Sequence, residues 1–362
     1  MGLVLDNVSK RVGPIDHITE VSLELTRGSL NVLLGPTLAG KTSLMRLMAG
    51  LDAPSSGKVL FDGQDVTGVP VRKRSVAMVY QQFINYPTLT VYENIASPLR
   101  VAGKSKAEID AKVLEAARLL RLEPYLKRTP LELSGGQQQR TALARALVRG
   151  ADLVLMDEPL ANLDYKLREE LREELPRLFA ASGAILVYAT TEATEALLLG
   201  GKTATLWEGR VTQYGQTPEI YRHPRDLVTA QVFSDPPLNL LSIEKRGNQA
   251  IAAGGRSLAL PATATALPDG GYHLGFRAHH LVLAAPSPDA LQLSGLVAVS
   301  EITGSESYIH ADVEGARWVS LSPGVRKLLP GESIDFYVDP NRLFLFEPSG
   351  KLVLAPADAL AA

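Results

Sequence analysis

An α/β domain over residues 1 to 235, followed by an all-β domain over 236–362, is the fold class that the sequence predicts. Three observations carry it. Continuous apolar runs, SLNVLLG at 29–35, DLVLMDE at 152–158 and AILVYAT at 184–190, have the texture of parallel strands buried on both faces. Helical patterns lie between them. After the proline pair Pro236 and Pro237 the apolar residues alternate with polar ones in short runs separated by glycine and proline turns, which reads as a small antiparallel barrel or sandwich.

Composition narrows the class of protein before any motif is read. A chain of 362 residues exceeds one ordinary core, and 46% apolar with 21% charged residues fits a folded protein with real cores. The formal net charge of −2 supplies no global basic field for nucleic acid, so no nucleic-acid partner is expected. There is no cysteine, which excludes disulfides, thiolate zinc sites and cysteine nucleophiles. No segment reaches the ~18 uncharged apolar residues that span a bilayer, so any membrane role is peripheral.

Taken in chain order, the strand at 29–35 runs into GPTLAGKTS, Gly35 to Ser43, which opens the amphipathic stretch SLMRLMAGL. Gly35, Pro36, Thr37, Leu38, Ala39, Gly40, Lys41, Thr42 and Ser43 satisfy G-x-x-x-x-G-K-[ST] between a strand and a helix. In that pattern backbone N–H groups and a helix N-terminus cradle phosphates, the lysine neutralises charge, and the threonine hydroxyl reaches Mg²⁺. Next, Ser105 and Glu108 form a capping-box pattern ahead of Ile109, Val113, Ala116 and Leu120 at helical spacing, a structural helix. The strand at 152–158 ends in two acids: Asp157 suits Mg²⁺, and Glu158 sits where a carboxylate polarises an attacking water. In the β-rich tail, Ile309, Ala311 and Val313 share one face, as do Ile334, Phe336 and Val338. The alanine-rich end, APADALAA, reads as a frayed terminus.

A third motif, LSGGQQQR, joins the other two. Ser134, Gly135 and Gly136 allow close backbone approach to an anion, and a helix beginning there with Gln137 turns its positive end toward it. This signature, with the phosphate loop and the acid pair, resembles the ATP-binding cassette family over residues 1 to 235. The resemblance implies an α/β P-loop NTPase cassette, a mixed sheet with a helical subdomain over about 85–150, and ATP with Mg²⁺ as ligands. It makes Gln81 the residue that touches Mg²⁺ and water, Asp164 the D-loop acid of the nucleotide site, and Lys41, Gln81 and Glu158 the catalytic set.

Within that family the chain looks like the ATPase subunits of carbohydrate, polyol and glycerol-phosphate importers, which carry a C-terminal pair of OB-like barrels. What this implies is a dimer in which each ATP lies between one subunit's phosphate loop and the other's signature. Closure then drives transmembrane permease subunits on the cytoplasmic face of the membrane, served by a periplasmic or extracellular solute-binding protein. Phe83, Tyr86 and Tyr92, crowded into FINYPTLTVYEN, suit either contact with the permease or packing inside the helical subdomain.

Three positions depart from the family pattern. Thr191 stands where a histidine usually reaches the γ-phosphate, Val12 where an aromatic usually stacks on adenine, and Leu38 where the phosphate loop commonly has glycine. A short hydroxyl replaces a longer donor, so the chain's own site is expected to be weak while its signature is intact. That asymmetry predicts a heterodimer with a second, more typical ATPase, with importers of glycerol and related polyols ranking first. Leu38 is tolerated if its backbone angles are ordinary, and Val12 still offers apolar contact without stacking. The alternatives are a homodimer in which Thr190 or a water compensates, a regulatory ATP-binding subunit, and a soluble non-transport relative. In the tail, GFRAHHL keeps Arg277 of an arginine–proline–acid turn but has Ala278 and His279 in place of the other two; His279 and His280 lack a third metal ligand.

Overall fold

The computed structural model describes residues 2–82, 84–161, 163–252 and 255–357. Phe83, and the last part of the terminus read as frayed, lie outside the described residues. The chain packs as two units, Met1–Thr217 and Pro218–Ala362.

In the first unit, strands β1 (Gly2–Val12), β2 (Ile15–Thr26), β4 (Ser56–Phe61) and β5 (Gln64–Asp65) form an antiparallel sheet in the order β2-β1-β4-β5. The second sheet runs β10-β9-β3-β8-β7-β6, built from β3 (Leu30–Leu34), β6 (Val76–Val79), β7 (Leu153–Asp157), β8 (Ile185–Thr190), β9 (Lys202–Trp207) and β10 (Arg210–Gln216). Five of its strands are parallel and β10 pairs antiparallel to β9. All residues of β7 and β8 are buried, which is why these strands read as unbroken apolar runs. One core between the sheets takes in Leu33, Leu44, Met45, Leu155 and Val187.

Helices α1 (Lys41–Ala49), α2 (Val91–Val101), α3 (Lys106–Leu119), α4 (Gly135–Val148), α5 (Tyr165–Ser182) and α6 (Ala193–Leu199) complete the unit. The Ser105–Glu108 capping box forms, and Ile109, Val113, Ala116 and Leu120 are buried. Tyr92 is occupied inside this helical region, where its phenol donates to Asp110, whereas Tyr86 remains half exposed under the guanidinium of Arg145. No described helix is long and apolar enough to cross a membrane.

The second unit is antiparallel throughout its sheets. One is six-stranded, order β13-β12-β11-β14-β19-β20, with β11 (Asn239–Arg246), β12 (Gln249–Ala252), β13 (Ser257–Ala259), β14 (Gly270–Phe276), β19 (Phe344–Phe346) and β20 (Leu352–Leu354). The other is four-stranded, order β17-β16-β15-β18, with β15 (Leu291–Ile302), β16 (Glu306–Val313), β17 (Ala316–Pro323) and β18 (Ser333–Val338). Ile309, Ala311, Val313, Phe336 and Trp318 point into their shared core, as the alternating pattern predicts.

Candidate nucleotide site

Parallel strands bring their carboxyl ends together, and the register shows how closely. Leu34 pairs with Thr190, and Asp157 pairs with Ala189, so the loops after β3, β7 and β8 leave the sheet side by side. Val79 pairs with Met156, which places Gln81 two residues beyond the same edge.

The phosphate loop is shaped by its glycines and, unexpectedly, by Leu38. Gly40 caps α1 at φ 103, a backbone region that L side chains rarely adopt, and a Cβ on Gly35 would stand 2.5 Å from the Leu206 carbonyl oxygen. Leu38 itself sits at φ 69 with 95% of its surface exposed. The condition on which Leu38 would be readily tolerated, ordinary backbone angles, is therefore not met: the loop holds it in the left-handed conformation that glycine supplies elsewhere. Leu38→Gly removes roughly 1–2 kcal/mol of steric strain and restores part of that as unfolded-chain entropy. With no packing lost, the expected result is a gain of about 0.5–1 kcal/mol in urea denaturation. An unchanged or lower stability would contradict the strain.

Lys41 is buried, and its Nζ donates to the carbonyls of Gly35 at 2.7 Å and Pro36 at 3.0 Å. Burial holds its ammonium below the ordinary lysine value, with Glu158 and Asp157 pulling the other way. The Thr42 hydroxyl donates to Asp157 at 2.6 Å. Burial raises the Asp157 carboxyl against the opposing effects of Thr42 and Lys41. Glu158 lies 4.0 Å from the Lys41 ammonium and accepts from the Gln81 amide at 3.0 Å. It too is raised, first by burial and then by Asp157, Glu195 and Glu192, with Lys41 opposing. Its own backbone is held at φ 48, and its N–H donates to the Ala189 carbonyl at 3.0 Å.

These groups surround one cavity of about 620 Å³, lined among others by Thr37, Leu38, Gly40, Lys41, Thr42, Ser43, Gln81, Glu158 and Thr191. The volume falls within the range of about 300–1,000 Å³ usual for small-molecule sites. Gly35, Pro36 and Ala39 form the loop behind it, and Asp157 reaches it through Thr42. Ser134, Gly135, Gly136, Gln137 and Asp164 do not line it. Ser134 caps α4 in a box with Gln137, and the Asp164 carboxylate accepts from the Leu167 N–H at 3.0 Å at the start of α5. The cavity thus unites the phosphate-loop and acid-pair residues and leaves the signature apart.

Sequence reasoning missed the far wall. Ile15, His17, Glu208 and Gly209 line it, and Val12 does not. Val12 pairs with Ile15 across the β1–β2 turn, so the exposed apolar surface expected at Val12 continues on Ile15. A hairpin reading of V-G-P-I would have found that pair. Gly209 donates to the Ala39 carbonyl at 3.0 Å and accepts from the Thr19 N–H at 2.9 Å, contacts between segments far apart in sequence.

Thr191 is exposed within the cavity, while Thr190 is buried and turned away. The Thr190 hydroxyl donates to Glu195 at 2.5 Å and accepts from the Glu192 N–H at 3.0 Å. The Tyr188 hydroxyl donates to the other Glu195 oxygen at 2.7 Å. Burial, together with the Glu195 charge, keeps the Tyr188 phenol protonated. The one proton of the Thr190 hydroxyl is thus committed to Glu195, which argues against Thr190 as a donor to phosphate in place of the histidine.

Strand, glycine-bearing loop, buried lysine and paired acids define a phosphate-loop nucleotide-binding cassette. A family model described as ABC transporter matches residues 18–161. The chain is 35% identical over 97% of its length to the alpha-glucoside transport ATP-binding protein AglK of Rhizobium meliloti, covering 98% of that protein. It is 34% identical over 97% of its length to the sn-glycerol-3-phosphate import ATP-binding protein UgpC of Paracoccus denitrificans, covering 99% of it. Among solved structures, a dimeric ATP-binding cassette in a post-hydrolysis state bound to ADP and Pi matches 59% of this chain and 98% of its own, with 30% identity and a TM-score of 0.55. The chain belongs to the ABC transporter family and is an ATPase of that family.

Proposed function

We propose that this chain hydrolyses ATP to power an importer of a carbohydrate, polyol or glycerol-type solute, acting on transmembrane permease subunits from the cytoplasmic face. The observation that carries it is the convergence of Lys41, Gln81 and Glu158 on one cavity, with Thr42 joined to Asp157 at its edge. The near full-length likeness to AglK and UgpC supports the import role and an accompanying solute-binding protein; we assign the cassette to residues 1–235 and dimer contacts to 236–362.

The residues divide the work. Glu158 is placed to take a proton from water, Gln81 to hold that carboxylate and the water in line, and Lys41 to neutralise phosphate charge. Backbone N–H groups from Gly35 to Ser43 position the phosphates, and Ile15, which lines the cavity beside its strand partner Val12, offers an apolar edge to the base. The hard-oxygen set of Thr42, Asp157 and Gln81 fits Mg²⁺, and the buried Asp157 carboxylate is one that a cation would stabilise. Bound there, Mg²⁺ would offset charge developing on the phosphates.

We assign the intact signature, Ser134 to Gln137 with Asp164, to the site of a second ATPase, and the weaker cavity with Thr191 to the chain itself. A homodimer is the second reading, favoured by Glu158, whose retention has a chemical use only where its own site turns over.

The test is steady-state hydrolysis by the purified chain beside Glu158→Gln. Nucleotide binding is expected to persist in the variant, and any turnover by the chain's own site is expected to drop by about 10²–10⁴-fold. Because Glu158 is raised, acidification neutralises it sooner than an ordinary glutamate, so hydrolysis falls off at a correspondingly higher pH. A wild-type rate equal to that of Glu158→Gln, with nucleotide bound, supports the unequal heterodimer. A rapid wild-type rate in a homodimer rejects it.

A further inference from the structure

The second unit holds a cluster of cations that the nucleotide chemistry does not use. A cavity of about 230 Å³ is lined by Tyr221, Arg222, Arg277, His279, His280 and Arg342, with Pro356 and Ala357 at its edge, and by no carboxylate. None of the three arginines has an ion-pair partner among the described residues. Like charges gathered without acids repel one another, and holding them together costs stability unless an anion joins them.

Arg277 is the built part of the cluster. It is only 6% exposed, and its guanidinium lies over the Tyr221 ring at 3.6 Å and within 4.9 Å of the Phe344 ring centroid. Its Nη2 donates to the Tyr221 carbonyl at 2.6 Å, while its Nε is buried with no hydrogen-bond partner. The His280 Nδ1 is likewise buried and unpartnered. Buried polar atoms are nearly always satisfied, so two of them on residues lining one cationic cavity point to a ligand. His280 is lowered to about 3 by burial, His279 and the two arginines Arg277 and Arg342, so it meets a ligand as a neutral imidazole. At position 279, where the related turn has an acid, this chain has histidine, which removes the negative charge that would balance Arg277.

We propose that Arg222, Arg277 and Arg342 form an anion site for the phosphate group of a small molecule, either inorganic phosphate or a phosphomonoester. Guanidinium forks match the geometry of phosphate oxygens and give charge-assisted, paired hydrogen bonds. The cavity is smaller than the about 300 Å³ at which drug-sized sites begin, which suits a compact anion.

The experiment is calorimetric titration of the full-length chain carrying Lys41→Ala, so that the phosphate loop contributes little to anion binding. Inorganic phosphate is expected to bind saturably with one site, and Arg342→Gln, at a half-buried position, is expected to weaken it at least tenfold. Circular dichroism and thermal melting check that this variant is folded. A parallel titration with glycerol 3-phosphate separates the sources: tighter binding assigns the site to phosphomonoesters, equal or weaker binding to free phosphate. No saturable binding of either, or binding indifferent to Arg342→Gln, overturns the proposal.

Discussion

Thr191→His is expected to raise ATP hydrolysis by the purified chain by about 10²–10³-fold, the range associated with one preorganised catalytic donor. Thr191 lines the same cavity as Lys41 and Glu158, so an imidazole there enters a site whose other groups are in place. The backbone is already fixed for it. Glu195 accepts from both Tyr188 and Thr190, and Thr190 in turn accepts from the Glu192 N–H, which pins the end of β8 to the start of α6. Exposure of Thr191 leaves room for the larger ring without displacing core residues. Steady-state phosphate release at concentrations that favour dimers reads the effect. A wild-type chain that already turns over rapidly, with no gain from histidine, would remove the argument for a weak site.

The second large effect is expected at the signature. If the signature serves a second ATPase as proposed, Ser134→Ala in the assembled importer is expected to cut ATP turnover by about 10²-fold or more, because it would delete a donor to that subunit's nucleotide. In the isolated chain the same change should leave nucleotide affinity unaltered, since Ser134 does not line the cavity that holds Lys41. It should also cost about 1 kcal/mol of stability through the lost helix cap. Measuring affinity, melting and complex turnover together separates these outcomes. A loss of affinity in the isolated chain would show that the signature serves its own subunit.

The sequence made the cassette legible because its chemistry is local. The phosphate-loop motif spans nine residues from the end of β3 into the first turn of α1, Asp157 and Glu158 are adjacent, and β7 and β8 are buried over their whole length. Apolar runs and fixed spacings record such features directly. The β-rich unit was legible for the same reason, since Ile309, Ala311 and Val313 alternate along one strand. What the sequence hid depends on long-range approach. Gly209 reaches the Ala39 carbonyl only after the β9–β10 turn folds against the phosphate loop, and nothing in the loop's spelling announces that neighbour. Leu38 was hidden differently. Its identity leaves the backbone angles open, and only the folded loop shows φ at 69. The arginine cluster was invisible because Arg222, Arg277 and Arg342 are far apart in the chain and meet only in the folded second unit.

The four capping boxes found among the described residues of the first unit differ in one respect. At Thr90, Ser105 and Thr129 the residue three places on is glutamate, and the cap hydroxyl spends its proton on that carboxylate. At Ser134 the third residue is Gln137, whose amide oxygen accepts from the Ser134 backbone N–H at 3.0 Å, and the hydroxyl only accepts, from the Gln137 N–H at 3.4 Å. A glutamine therefore keeps the cap neutral and leaves its O–H vector uncommitted. Three helices use the box as a closed clasp; in the fourth the clasp is open, its hydroxyl proton claimed by no acceptor among the described residues.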